Sequence, residues 1–291
     1  MQRLAAGDAS GTLPQIFRQY QTFRFTTTWS LLTKFSEVTM TTTRVYIDST
    51  VTASRSLGQI AFPISALPDL VPGMILQWDV DGTAGSLARN RVGADMTVVG
   101  SPAIASYAAS LNETAYIDTG ISIAPYANSD MTFIGITNNP GGKFNVVGVM
   151  QVAAPKRSRC HEFETTHKPG GLWLNSAGAS WFSVLDSASA EAAAPDGIFS
   201  VSRTVTNDGT GRVGIHADLP ITGQHALVTN GTAPSPSITG NIYIGASLDH
   251  GTTVTGQVMA VLAFSRAITD TEMATIYRAY KSHYAGLGKS I

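Results

Sequence analysis

Charge is scarce in this 291-residue chain: Asp, Glu, Lys and Arg make up 13% of it, against roughly 25% in ordinary globular domains. The 19 basic and 20 acidic residues leave a formal net charge of -1, so no field exists to draw in nucleic acid or an anionic membrane, and nucleic-acid binding is not expected. Cysteine is scarcer still. Cys160 stands alone, which excludes an intrachain disulfide and any zinc cluster resting on thiolates, and its plainest reading is a buried or incidental thiol. No apolar run approaches the roughly 20 residues of a membrane-spanning helix, so no span is expected. Residues 1–12 carry Gly7, Asp8 and Gly11 where the apolar stretch of a secretory signal would lie, and folding in a cytoplasm is the expectation. Glutamate is thin as well, with six in all: Glu37, Glu113, Glu162, Glu164, Glu191 and Glu272.

What the chain has instead is β-sheet pattern. Hydrophobic content is 43%, and polarity is supplied mainly by Thr, Ser, Gly and Asn, a surface that suits β-proteins of extracellular or particle assemblies. Short apolar or alternating runs fall at 74–80, 96–99, 115–117, 131–136, 144–152, 171–174, 181–185, 198–205, 212–217 and 254–264. Turn chemistry such as Asn139-Pro140-Gly141-Gly142, Lys168-Pro169-Gly170-Gly171 and Asn207-Asp208-Gly209 separates several of them. That spacing, with one terminal helix, an alanine-rich loop or short helix at 188–194 and no solenoid period, predicts an all-β antiparallel sandwich.

Residues 1–40 differ from the rest. They mix Phe17, Tyr20, Phe23, Phe25, Trp29 and Phe35 with Arg3, Arg18, Arg24 and Lys34 in no clean period. They are read as an assembly arm ordered by neighbouring chains, with an upstream extension before Met40 as the open alternative. Residues 41–72 are expected to be a small β-unit or linker, since Leu67 to Pro72 brings two prolines and no period. Residues 73–291 form the sandwich.

The C-terminal stretch is the most legible. After the run at 254–264, Thr269 and Glu272 have the spacing of a capping box, flanked by Ile268 and Met273 as a hydrophobic staple. Met273, Ile276, Tyr277, Tyr280 and Tyr284 then make one helical apolar stripe, with Gly286 as the expected stop. Ile242, Ile244 and Gly245, followed by Phe264, Arg266, Ile268, Thr269, Glu272, Met273, Ile276 and Tyr277, resemble the closing strands and helix of laminin-G-like and concanavalin A-like lectin/glucanase jelly rolls. The resemblance covers residues 74–287 and implies a concanavalin A-like sandwich with one C-terminal helix.

The resemblance also frames the candidate chemistry. Glycosidases of this architecture line up carboxylates in an E-x-D-x-x-E strand motif, and the sequence has none; Glu162-Phe163-Glu164 is the nearest approach. The flanking His161 and His167 offer an acid-base or metal cluster, against the blander and favoured reading of a solvated loop. The chain is therefore not expected to be an enzyme. Laminin-G-like modules hold calcium at a sandwich edge, which makes Asp79, Asp81, Asp118 and Asp249 the candidates for a cation that wants about six oxygens; no other cofactor is expected. Glycan binding needs an exposed aromatic beside amide or carboxylate groups, and Trp173 with Asn175, Trp181, and Asp249 with His250 are the candidates, each tryptophan being read singly as core. The sequons at Asn112 and Asn230 are assigned no role.

Taken with the resemblance, these features predict a structural protein of a tailed-bacteriophage virion. It would be a tail fibre, receptor-binding or decoration component, assembled in the host cytoplasm, self-associating, and contacting host surface glycans. The alternatives are a cellular or secreted carbohydrate-binding module and a glycan-cleaving enzyme of the same fold.

Overall fold

A computed structural model of the chain describes residues 63–138, 140–151, 157–174, 180–207, 213–230, 238–246 and 254–291. The expected arm at 1–40, and all of the expected unit at 41–72 except its last residues, lie outside the described residues.

The chain runs through β1 (Met74–Asp79), β2 (Thr97–Val99), β3 (Ala103–Ala105), β4 (Ala108–Leu111), β5 (Tyr116–Ser122), β6 (Met131–Thr137), β7 (Phe144–Gln151), β8 (Arg157–Phe163), β9 (Pro169–Leu174), β10 (Ser180–Val184), β11 (Ile198–Val205), β12 (Val213–Leu219), β13 (Gln224–Asn230), β14 (Asn241–Ile244) and β15 (Gly256–Phe264), and ends in a helix at Asp270–Gly286. The strands form two sheets. One has eight strands in the order β13-β12-β11-β6-β15-β4-β3, with β1 also on β15; the other has seven in the order β10-β9-β8-β7-β14-β5-β2. The described pairings are all antiparallel, as an all-β sandwich requires.

β15 is the keel. β6 pairs along one of its edges, while β4 and β1 share the other end to end, β4 against residues 256–258 and β1 against 260–264. A register shift against β6 between Val258 and Ala260 changes which face each residue meets. Val258, Val261 and Ala263 therefore join the core between the sheets, whereas Ala260, Leu262 and Phe264 pack under the helix. Burial of the larger of these, Val258, Val261, Leu262 and Phe264, stabilises by about 1.5–3 kcal/mol each, which is why a strand buried on both faces reads as an unbroken apolar run.

The helix starts as its sequence predicts. Thr269 Oγ1 accepts from Glu272 N at 3.2 Å, and Glu272 Oε2 accepts from Thr269 N at 2.8 Å. Arg266 adds two bonds to the Glu272 carboxylate, at 2.9 and 2.6 Å; with the cap, these hold that carboxyl down at about 2. Ile276, Ala279, Tyr280 and Tyr284 are buried on the sheet, and Tyr284 Oη donates to the Met259 carbonyl at 3.1 Å. The stop differs from the expected Gly286. Gly288 takes the left-handed conformation at φ 73°, with Lys289 N donating to Tyr284 O and Gly288 N to Ala285 O, the bond pair of a Schellman ending.

Three other readings need correction. The described end of the 41–72 segment is neither strand nor linker. It is a helical turn at Ile64–Ala66 and Leu67–Leu70, whose Ile64, Leu67 and Val71 join the cluster beneath the C-terminal helix. The segment 159–171 is not one solvated loop: residues 159–163 belong to β8, inside the seven-stranded sheet between β7 and β9, and only 164–168 form a partly exposed turn before β9. β3 and β4, missed in the sequence, form a hairpin whose two turn residues, Ser106 and Tyr107, have φ of 51° and 66°. That is the backbone of a primed turn made without glycine or asparagine, so the usual signal is missing.

Candidate functional site

The outward face of the seven-stranded sheet carries the best-formed site. In β5 and β14, Ile117, Ile242 and Ile244 turn inward to the core, so strand alternation sends Tyr116, Asp118, Asn241 and Tyr243 outward. Register places Thr97, Asp118, Tyr243 and Gly148 in one row across β2, β5, β14 and β7. Tyr116 and Tyr243 are half-buried and meet edge to face, with ring centroids 5.7 Å apart and planes at 83°.

The backbone shapes this face at two points. Between Asn241 and Tyr243 the pairing to β5 slips, and Gly120, at φ 67°, lies in the slipped segment of β5. The bulge brings two strands' polar groups together. Asp118 Oδ1 accepts from Asn241 Nδ2 and from Gly120 N, both at 2.9 Å, while Thr119 Oγ1 donates to Ile242 O at 2.7 Å. Bulges re-aim side chains beside binding sites in this manner. The second point is Gly148, opposite Tyr243, with φ 131°; a Cβ there would lie 2.4 Å from Arg159 O and 2.6 Å from Cys160 Cβ. No side chain can therefore stand on β7 beside the Tyr243 ring.

The local field is negative. Burial first, then the charges of Asp118 and Tyr116, push the Tyr243 phenol above its usual range. Asp118 Oδ2 has no hydrogen-bond partner among the described residues, and β2, β5 and β14 carry no Lys or Arg. Two tyrosine rings, one free carboxylate oxygen and one amide can hold a polyhydroxylated ligand by its C–H face and its hydroxyls.

The residues singled out in the sequence are scattered by comparison. Trp173 is only 2% exposed and packs with Val213 and Ile215, with the Arg159 guanidinium 4.8 Å from its ring; its ring faces the other sheet and is not a surface platform. Trp181 pairs with Trp173 in register, but its side chain lies outside what the structure describes, as do residues Asn175, Asp249 and His250. Asp79 is buried, with both oxygens taken by Arg91. Asp81 accepts from Thr83 Oγ1 at 2.7 Å and from Arg89 at 2.9 Å, and the Thr83 bonds and Arg89 hold its carboxyl well below the usual range. Asp118 belongs to the other sheet, so the three aspartates are not gathered, and no cluster of metal-ligating side chains occurs among the described residues.

The Glu162-centred cluster is also dispersed. His161 points inward, its Nε2 2.8 Å from Ser200 Oγ, and burial pushes it down to about 4. His167 instead pairs with Glu191, which also accepts from Ser187 Oγ at 2.9 Å. Glu162 is fully buried on the outward side of β8, beside Asn145. Burial pushes its carboxyl up to about 7, partly offset by Lys143 Nζ at 3.5 Å.

No family model and no curated protein matches the chain. Solved structures do. A sialidase from Trypanosoma rangeli in complex with sialic acid is 12% identical, with a TM-score of 0.50 over 72% of this chain and 33% of that one. The receptor-binding domain of botulinum neurotoxin D is 12% identical, with a TM-score of 0.49 over 72% of this chain and 53% of that one. The chain thus spans about a third of the sialidase and half of the toxin domain. The sialidase shares the sandwich fold. That finding corrects one expectation: the chain was read as no enzyme because it lacks the glycosidase carboxylate motif, but a similar sandwich occurs within a protein named for its enzymatic activity, so the missing motif excludes nothing.

Proposed function

We propose that the chain is a glycan-binding β-sandwich whose sugar site is the outward face of β5 and β14. The observation that carries the reading is the Tyr116–Tyr243 pair set beside Asp118 and Asn241 by a bulge. The fold shared with part of a sialidase supports it, as does the lectin resemblance of residues 74–287. The test is a glycan array probed with the full chain and with Tyr243→Ala. Loss of a base–aromatic or sugar–aromatic contact of this kind costs about 1–3 kcal/mol, so bound spots should weaken about tenfold or more. A bound glycan untouched by the substitution would sink the reading. Release of reducing sugar from the bound glycan reports turnover in the same experiment. Asn175, Trp181, Asp249 and His250, whose side chains lie outside what the structure describes, stay a separate proposal for sugar contact, each tested by Ala substitution on the same array.

The finer reading is a virion component of a tailed bacteriophage, anchored and oligomerised by residues 1–40 and presenting the sandwich to host glycans. The low charge and aromatic-rich arm support it. Deleting residues 1–40 should abolish self-association while the sandwich keeps its unfolding transition. A parent chain that sediments as a monomer would count against it.

A further inference from the structure

Resting on the site just proposed, we infer that its ligand is a neutral, hydroxyl-rich sugar and that acidic glycans are rejected. Three features lead there. First, the polar group at the centre of the face is a carboxylate with one oxygen already committed: Asp118 Oδ1 accepts from Asn241 Nδ2 and Gly120 N. The remaining Oδ2 has no hydrogen-bond partner among the described residues and is an acceptor that a donor such as a sugar hydroxyl can satisfy.

Second, no cation balances it among the described residues. The strands that build the face read Thr-Val-Val in β2, Tyr-Ile-Asp-Thr-Gly-Ile-Ser in β5 and Asn-Ile-Tyr-Ile in β14, without a Lys or Arg. The sheet's buried guanidinium, Arg159, is spent elsewhere, donating to the Tyr126 and Ser129 carbonyls and covering Trp173. Lys143 is engaged with Glu162 at 3.5 Å. A sialic, uronic or sulfated sugar would bring its anion towards Asp118 with no partner, and like charges at close range are strongly disfavoured.

Third, the rings are set for a C–H face and not for a planar anion. Tyr116 and Tyr243 stand edge to face at 83°, which presents ring faces to C–H groups. Asp118 and Asn241 are already bonded to one another, so donor and acceptor are held in place before a ligand arrives, which limits the ordering cost of binding.

The experiment is an array carrying neutral oligosaccharides beside sialylated, sulfated and uronic-acid versions of the same cores, probed with the full chain and with Asp118→Asn and Tyr243→Ala. The expected result is binding of neutral cores, with each acidic version weaker by about tenfold or more, a gap that narrows at high salt. Asp118→Asn should weaken neutral binding and shrink the gap. An unfolding transition for each variant matching that of the parent checks that the face is folded. Acidic versions bound as well as or better than neutral ones, with that binding still lost in Tyr243→Ala, overturn the inference and leave the site reading intact. Binding that Tyr243→Ala does not alter, or no bound glycan at all, overturns both.

Discussion

The two outward faces of this sandwich solve opposite problems. On the eight-stranded sheet, Ile134, Ile136, Val201, Leu262 and Phe264 are closed off by the chain's own helix through Ile276, Tyr280 and Tyr284. On the seven-stranded sheet, at β5 and β14, the corresponding outward positions hold Tyr116, Asp118, Asn241 and Tyr243, half-buried with no helix over them among the described residues. A face to be covered from within is built of aliphatic and ring carbon. A face to be covered by a ligand mixes ring carbon with donors and acceptors, so that it tolerates water until the ligand comes.

That contrast can be broken most sharply at Tyr280. Tyr280→Ala should cost about 3–5 kcal/mol in denaturant unfolding while any folded fraction still binds sugar; equal loss of affinity in that fraction would mean the two faces are not separable. Next comes Glu162, on the outward side of the second sheet but buried. Its folded carboxyl keeps a proton up to about 7, whereas an unfolded glutamate releases it near 4.3, so the folded chain binds more protons in between. Stability from this group is therefore full below the unfolded value and lost as pH rises through about 7. A shift of this size corresponds to about 3–4 kcal/mol, and Glu162→Gln should flatten the fall in unfolding free energy between pH 5 and 8. An unchanged slope would refute the assignment. Glu272 works in the opposite sense: its folded carboxyl lies at about 2, so its contribution is present above pH 4.5 and lost as pH falls through about 2. Smaller again, Thr269→Ala removes the cap of the covering helix and should cost about 1 kcal/mol in the same measurement. The smallest effect on stability belongs to Tyr243→Ala, about 1 kcal/mol or less, although its effect on sugar binding is the largest of the set.

The covered face was legible in the sequence and the open one was not, for physical reasons. β15 and its helix announce themselves because burial on two sides, a capping box and an apolar stripe each leave a local pattern. β8 hid because its inward positions include Arg159 and His161, polar groups held by carbonyls and Ser200 in the interior, so the alternation that marks a strand is reversed. The site hid because its halves, Tyr116 with Asp118 and Asn241 with Tyr243, stand on strands far apart in sequence and meet through one antiparallel pairing. Asp118 drew notice as a cation ligand, yet its partner is an amide. Tryptophan drew notice as the larger ring, yet Trp173 is needed inside, under a guanidinium.

The position of β15 also governs how the molecule is made. Its edges are taken by β6, β4 and β1, strands synthesised well over a hundred residues earlier, so each must wait for it. A ribosome releases the early strands as open edges, exposed to neighbours and chaperones, until residues 256–264 emerge and zip the eight-stranded sheet shut. Closure of that sheet thus waits on one late strand, and a nonsense mutation just before residue 256 would leave chains for the proteases, not a shortened sandwich.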